Sequence, residues 1–429
     1  MINIEFIYSF VLCTAFLIVN FCRLGLRNKT CILPSTFFSM MWGLTSIGAF
    51  LYSNMLIGDN DYYIRASYLQ EIASYQLSVL GVIFAAFLLA HFRKRKISVV
   101  ISDELGQMDI SAIRSKMRWF LYLFFIIGLY RLISVLSVTG LDYSAMRSYY
   151  LSSRSHFSAF DSNLIRVAAY LSQFVKLYVC ILGIETALRE IRFKQLTKDF
   201  LMFIPFHMSL GGRLFLLAFF APFIFSYLLT YFTVSRKNGK KIDKKFLLIL
   251  LSPLIMLVIL QILKMDEIVN LKTIEAYSTE IFYTTSAYIH MNELWASLPS
   301  EYSLGYGLNT IGIGSSVYNH VMESWSIEEN AALVCVPSMI PQAFLDFGPR
   351  GSLLFFFIVF YCIEDKAISC LKTLTIKNVL LIVLLCQIAY QTASSSSYDL
   401  LRAFIVGYIS LVLFIQMTKL KMIKYTEKY

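Results

Sequence analysis

Charged residues are scarce in this sequence. Only 15% of its 429 residues are charged and 58% are hydrophobic, whereas a soluble domain carries about 25% charged residues. With a mean hydropathy of +0.65, the chain has too few polar side chains to cover a surface that faces water. A soluble globular protein is therefore excluded, and the sequence predicts an integral membrane protein.

The sequence also lacks the common motifs for metal, disulfide and nucleotide chemistry. Its eight cysteines have neither metal-ligand spacing nor an even extracytoplasmic set, so no zinc site or disulfide framework is expected. There is no GxxxxGK[ST] loop, Rossmann fingerprint, HExxH or GxSxG motif. A nucleotide-driven pump and a familiar hydrolase are therefore not supported, and no metal or cofactor is expected.

Long apolar runs predict an all-α fold, because a helix satisfies its own backbone hydrogen bonds in lipid. We predict a polytopic transmembrane bundle of about eleven spans that forms one integral membrane domain over residues 1–429. The N-terminus lacks a basic region and a cleavage pattern, so the first span is expected to be retained. The predicted spans are 4–22, 31–57, 72–92, 119–139, 164–188, 199–211, 214–234, 246–263, 337–363, 378–393 and 400–418.

The net charge of +11 indicates membrane topology rather than nucleic-acid binding, because the basic residues lie in short clusters between apolar runs. Positive loops stay in the cytoplasm, and one alternate set of loops contains 27 of the 38 Lys and Arg residues. We therefore predict an extracytoplasmic N-terminus, a cytoplasmic C-terminus, and contacts with membrane lipids. Basic clusters on both sides of residues 199–234 indicate that this segment crosses the membrane and returns.

Two predicted extracytoplasmic loops are more than connectors. Residues 140–163 are rich in Tyr, Ser and Arg, and residues 264–336 form a far longer loop, of a kind that usually carries function. The longer loop contains nine acidic residues against Lys264 and Lys272. Its apolar and aromatic residues over 277–298 have helical spacing, which indicates a helix on the membrane or over a cavity.

Several arginines lie at or beyond the predicted outer boundary and so break the tendency of positive charge to stay inside. They are Arg147, Arg154, Arg166, Arg213 and Arg350. A planar guanidinium matches phosphate oxygens. Arg213 follows Gly211 and Gly212 at the turn between two paired spans, where a lipid pyrophosphate would lie. The alternative is an arginine that snorkels to the interface and ends a helix.

The other candidate cations lie in the first outer loop and inside spans. Arg147 and Arg154 are seven residues apart and share a face if the loop is helical, so they could bind anionic sugars or a diphosphate; the alternative is a solvated loop with ordinary charges. Arg131 and Lys176 fall inside predicted spans, where an ionisable group indicates a functional cavity or a structural ion pair. Glu185 is too far along the helix from Lys176 to be its neighbour.

Asp346 and Arg350 lie at the outer end of a predicted span, within VPSMIPQAFLDFGPRGSLLFFF. Their spacing of four allows an intrahelical salt bridge, while Gly348 and Pro349 between them favour a break or a re-entrant turn. A structural ion pair and a substrate-binding site are both consistent with this pattern.

A base that could deprotonate a sugar hydroxyl is available in the long loop, which contains His290, Glu293, Glu301 and His320. His290 and Glu293 are three residues apart, a spacing at which a carboxylate can orient an imidazole. This pair is the candidate for the catalytic residues. The alternative is that both are inert surface side chains.

The arrangement of spans and three patches resemble the Wzy-type O-antigen polymerases, a family of bacterial oligosaccharide repeat unit polymerases. The patches are GGR at 211–213, ELWASLPSEYSLGYGLNT in the long loop, and PSMIPQAFLDFGPRG before the next span. The resemblance implies a metal-independent glycosyltransferase of the bacterial inner membrane. It would move a growing chain from undecaprenyl pyrophosphate onto the next lipid-linked repeat unit at the periplasmic face, with a chain-length regulator as a further candidate partner.

The resemblance also assigns roles to three arginines. It gives Arg213 the contact with the diphosphate, and it matches Arg147 and Arg154 to the family's Arg-bearing outer loop by position only. The chain departs from the family's Rx10G pattern, since Ser158 and Ile165 occupy the positions where glycine would follow Arg147 and Arg154. The long loop contains no arginine, which departs from the family's usual scheme of two Arg-bearing loops.

Two other functions are alternatives to the polymerase. An O-antigen ligase would share its layout. A polysaccharide flippase or secondary transporter would be expected to have repeated halves, interrupted spans near the midplane and small outer loops. The unusual residues of this chain are instead concentrated in two outer loops.

Overall fold

The computed structural model describes the apolar segments of the chain and several of their connections. The described residues are 4–22, 33–55, 66–93, 100–101, 110–140, 145–146, 159–189, 193–209, 214–235, 339–392 and 404–416. They are almost entirely helical. The predicted all-α class is therefore confirmed for this part of the chain.

The described helices follow the apolar runs of the sequence. They are α1 Ile4–Asn20, α2 Pro34–Met55, α3 Ala66–Arg93, α4 Ile110–Thr139, α5 Ala159–Arg189, α6 Phe193–Leu201, α7 Ile204–Ser209, α8 Leu214–Thr230 with a π-helical turn at Tyr231–Ser235, α9 Met339–Leu371, α10 Ile376–Gln391 and α11 Phe404–Gln416. Two short strands, β1 Val100–Ile101 and β2 Thr373–Leu374, pair in parallel.

Three of the described helical segments are long and apolar enough to cross a membrane. They are Ala73–Arg93, Ile110–Thr139 and Tyr170–Leu188. Shorter apolar helices are Ile4–Asn20, Phe219–Thr233, Ile376–Gln391 and Phe404–Gln416. These helices are those expected of a membrane protein, in agreement with the composition.

The structure differs from the predicted spans mainly over residues 199–211. A single helix was expected there, but the chain forms α6 and α7, separated by a turn at 202–203. A six-residue helix such as α7 rises only about 9 Å, which is well short of the roughly 30 Å of a hydrocarbon core. The predicted span 246–263 and the predicted loop 264–336 lie outside the described residues.

One compact unit has an aromatic core. It comprises Met1–Ser98, Asn270–Lys372 and Leu385–Ile405. The rings of Phe38 on α2 and Phe360 on α9 have centroids 5.0 Å apart, and Phe87 on α3 lies 5.7 Å from Phe360. Phe16 on α1 stacks on Phe84 at 4.7 Å. Because lipid tails are as apolar as these rings, tight packing rather than exclusion of water holds such helices together.

The other compact unit is held by close helix approach as well as by aromatic contacts. It comprises Val99–Val269, Thr373–Leu384 and Val406–Tyr429. Phe124 on α4 lies 4.6 Å from Phe206 on α7. A Cβ atom at Gly183 of α5 would come within 2.1 Å of the Ser226 Oγ on α8, and one at Gly128 of α4 within 2.6 Å of the Phe206 nitrogen. Glycine is therefore required at both positions for the helices to meet.

Candidate functional site

Helix α9 is broken at the residues that the sequence singled out. Gly348 has φ 68° and ψ −178°, a backbone conformation that only glycine adopts readily. Pro349, which follows, has no N–H to continue the helix, and its fixed φ suits the first position of a new one. The break that Gly348 and Pro349 favour in the sequence is therefore present.

The two candidate residues that flank the break have different surroundings. Asp346 is completely buried, whereas Arg350 is exposed. A spacing of four brings side chains together only along a continuous helix, and the break interrupts the helix between them. Arg350 is therefore available to a molecule outside the bundle, while Asp346 belongs to its interior.

Residues at this break form hydrogen bonds within α9 and with α3. The Ser352 hydroxyl donates to the Pro349 carbonyl at 3.0 Å, and the same hydroxyl oxygen is hydrogen-bonded to the Tyr75 hydroxyl of α3. The neighbouring Gln76 donates its amide to the Ser46 hydroxyl of α2 at 3.1 Å. Polar groups of α2, α3 and α9 thus meet inside an otherwise apolar unit.

A second polar cluster lies at the other end of the same helices. The Glu364 carboxylate of α9 is completely buried and lies 2.7 Å from the His91 Nε2 of α3. It accepts hydrogen bonds from the Ser35 hydroxyl at 2.6 Å and from the Ser35 N–H at 3.1 Å. Asn20 at the end of α1 donates to the Ser35 Oγ at 2.9 Å. Residues of four helices, α1, α2, α3 and α9, are therefore joined around one carboxylate.

The last residue of α3 lies beside this second cluster. Arg93, the last residue of α3, donates to the Tyr361 hydroxyl of α9 at 2.6 Å. Arg350 precedes Glu364 by 14 residues, which corresponds to about 21 Å of helix rise. The exposed arginine therefore lies at the start of the part of α9 that follows the break, and the buried His91–Glu364 pair lies near the C-terminal end of the helix.

The other unit contains a network of buried acids and arginines. Asp199 of α6 is completely buried; its carboxylate accepts hydrogen bonds from Arg118 of α4 and from the Tyr178 hydroxyl of α5, both at 2.6 Å. Arg114 of α4 forms an ion pair with Glu185 of α5 at 2.9 Å. Each buried carboxylate is thus paired with a guanidinium, the condition under which a buried charge is tolerated. The network fixes α6 to α4 and α5.

The candidate cations inside spans lie in this same unit. Lys176 of α5 is partly buried, with its Nζ 3.5 Å from the Gln173 Oε1. Arg131 of α4 is buried. Glu185 pairs with Arg114 and not with Lys176. The proposed substrate-binding role of Lys176 stays a prediction.

Five of the sequence candidates lie outside the described residues. They are the pair His290 and Glu293 in the long loop, and the arginines Arg147, Arg154 and Arg213. Arg166 lies on α5, at its outer end in the predicted orientation. The structure therefore describes Arg350, Asp346 and Lys176 among the candidate site residues, and the roles of the others stay predictions.

His91, Glu364 and Asp199 are not among the candidate residues predicted from the sequence. A usable signal was present for two of them: Glu364 ends a long apolar run in FYCIEDK, and His91 ends another in LLAHFRKRK. The rule that positive loops stay inside uses only Lys and Arg and gives no weight to such residues. An ionisable group near the end of a span is itself an indication of a partner.

Metal ligands are not grouped within the described residues. No cluster of three or more His, Cys, Asp or Glu side chains could hold an ion among them.

Comparison of the chain with protein-family models, with curated proteins and with solved structures finds no match.

Proposed function

We propose that this chain is an inner-membrane glycosyltransferase that joins undecaprenyl-pyrophosphate-linked oligosaccharide repeat units at the periplasmic face. The proposal includes about eleven spans, a periplasmic N-terminus, a cytoplasmic C-terminus and a large periplasmic loop at 264–336. The observation that carries it is the exposed Arg350, which follows directly on the break in α9. This break lies within the PSMIPQAFLDFGPRG patch that resembles the repeat unit polymerases.

The position of Arg350 along α9 supports a periplasmic site. Arg93 is the first residue of a basic cluster in the sequence and donates to the Tyr361 hydroxyl, so this cluster starts near the Glu364 end of α9. Basic loops are retained in the cytoplasm. Arg350, about 21 Å away along the helix, is then directed toward the opposite face, where lipid-linked repeat units would be joined.

The chemistry requires stabilisation of a leaving group. A hydroxyl oxygen of the acceptor unit attacks the anomeric carbon of the donor sugar, the bond from that carbon to the diphosphate oxygen breaks, and undecaprenyl diphosphate leaves. The hydroxyl proton passes to a base, for which His290 and Glu293 are the candidates. Arg350, together with Arg213, would stabilise the charge that develops on the diphosphate.

The test uses the substrate that the cell itself would accumulate. Deletion of the gene should leave surface polysaccharide with single repeat units and no ladder, and the lipid-linked unit extracted from that strain serves as substrate for the purified protein. We expect elongation by the wild-type protein and strong loss with both Arg350→Ala and Arg350→Lys, because lysine cannot replace a bidentate guanidinium. Lys366→Gln, which removes an exposed charge near the C-terminal end of α9, is the control.

The possible outcomes separate this activity from its rivals. Wild-type ladders in the deletion strain would remove the proposal. Accumulation of long chains that are not attached to their acceptor would identify a ligase. Retention of unmodified lipid-linked units on the cytoplasmic side would identify a flippase. Full elongation by Arg350→Ala would remove Arg350 from the site.

A further inference from the structure

We infer that Tyr75 is a positioning residue for Arg350, acting through Ser352 on the backbone break in α9. This inference rests on the proposed function, because it needs Arg350 to meet the diphosphate. Tyr75 belongs to α3, a different helix from the one that carries Arg350. The hydrogen bond between Tyr75 and Ser352 therefore ties the break to a neighbouring helix of the same compact unit.

The direction of these hydrogen bonds follows from the number of protons. A serine hydroxyl has one proton to donate, and Ser352 uses it toward the Pro349 carbonyl at 3.0 Å. The Tyr75 hydroxyl must then be the donor to the Ser352 oxygen. A chain of two hydrogen bonds thus runs from the Tyr75 hydroxyl to the carbonyl of the residue directly before Arg350.

Packing around the break limits its conformation further. Phe347 before the break stacks on Phe355 after it, with ring centroids 5.0 Å apart. A Cβ atom at Gly351 would come within 2.9 Å of the Phe347 Cβ, so a larger residue there would push Phe347 away. Gly348 supplies the backbone conformation that other residues avoid. These constraints hold the backbone in place on both sides of Arg350.

Such an arrangement is characteristic of positions where geometry matters for function. Gly348 has a backbone conformation that other residues avoid, and the stacked rings of Phe347 and Phe355 confine the chain on either side of it. Misplacement of a charge-stabilising group by about 1 Å can cost on the order of 100-fold in rate. A hydroxyl that fixes the Pro349 carbonyl therefore affects turnover without touching the substrate.

The experiment removes the hydroxyl while keeping the ring. Tyr75→Phe should lower kcat by about tenfold or more with little change in KM, because the interaction it supports acts on charge that develops in the transition state. Ser352→Ala should have the same effect, and Ser352→Thr, which keeps a hydroxyl, should restore much of it. Tyr8→Phe on the exposed face of α1 is the matched control and should match wild type.

A double-mutant cycle decides between positioning and a general structural role. In an Arg350→Ala background, Tyr75→Phe should cause little further loss, since the group it positions is gone. Independent losses that multiply, or wild-type kcat in Tyr75→Phe, would overturn the inference. If Tyr75→Phe does not fold, the same cycle is run with Ser352→Ala.

The same assay distinguishes failure of the two proposals. A wild-type protein that elongates no lipid-linked unit removes the proposed function and the positioning role together. The other outcome is that the wild-type protein elongates normally, Arg350→Ala is impaired and Tyr75→Phe is not. This result would remove only the positioning role of Tyr75.

Discussion

Ser35 donates two hydrogen bonds to the Glu364 carboxylate, although 329 positions separate them in the chain. One comes from the backbone N–H at 3.1 Å and the other from the hydroxyl at 2.6 Å. The carbonyl of Leu33 accepts the first helical hydrogen bonds of α2, so Leu33 occupies the capping position with a side chain that cannot accept. Glu364 supplies the missing acceptor from a distant helix and also places negative charge at the helix start.

Glu364→Ala should strongly destabilise the protein. The change leaves the Ser35 N–H and the His91 imidazole buried without their acceptor, and removal of one partner from a buried pair costs about 3–5 kcal/mol. Glu364→Gln keeps one acceptor oxygen but directs an amide toward donors, so an intermediate loss is expected. Thermal unfolding in detergent measures both, with the exposed Lys366→Gln as control. A Glu364→Ala protein as stable as this control would contradict the role of Glu364 as the hydrogen-bond acceptor at the start of α2.

Asp199 should be the most sensitive residue of the other polar network. Asp199→Ala removes the acceptor for both Arg118 and Tyr178, leaving a guanidinium and a hydroxyl without it, and about 3 kcal/mol or more should be lost. Arg118→Ala and Asp199→Ala should be strongly non-additive when combined, because they remove the same contact. Unfolding midpoints of the two single variants and the double variant give the coupling. The exposed neighbour Lys198→Gln should remain close to wild type.

Much of the described fold follows from hydrophobic length and charge alone. The apolar runs predict the bounds of α1 and α2 within three residues, whereas α3 and α4 begin earlier than predicted, at Ala66 and Ile110. The basic residues Arg114 and Arg118 favour a loop over this first part of α4. Their pairing with Glu185 and Asp199 allows the helix to continue through it.

The candidate site was predictable where a local backbone rule applied. Gly348 and Pro349 favour a break through their own conformational preferences, and the break is there. The pairing of Ser35 with Glu364 was not predictable, because it depends on which distant helices pack together. The same limit applies to Tyr75 and Ser352, whose contact joins α3 to α9.

Close approach of helices gives a third prediction. Gly183→Ala places a Cβ 2.1 Å from the Ser226 Oγ and 2.7 Å from the Phe223 carbonyl oxygen. The backbone atom cannot move aside cheaply, so α5 and α8 must separate and about 1–3 kcal/mol should be lost. Gly81→Ala is the control: this exposed helical glycine has open space around it. It should gain up to about 1 kcal/mol. Equal unfolding temperatures for the two variants would contradict the close contact.

Gly348→Ala tests whether the break in α9 matters for activity as well as for stability. An alanine at φ 68° and ψ −178° is strained, which should cost about 1–3 kcal/mol. Relief of this strain would turn the following residues, so elongation of lipid-linked repeat units should fall together with the unfolding temperature. Gly140→Ala provides the comparison, since Gly140 also has a positive φ, of 66°, at the end of α4. That variant should lose about 1 kcal/mol yet retain elongation per folded molecule. Full elongation by a destabilised Gly348→Ala protein would show that the break is a structural feature without a part in the reaction.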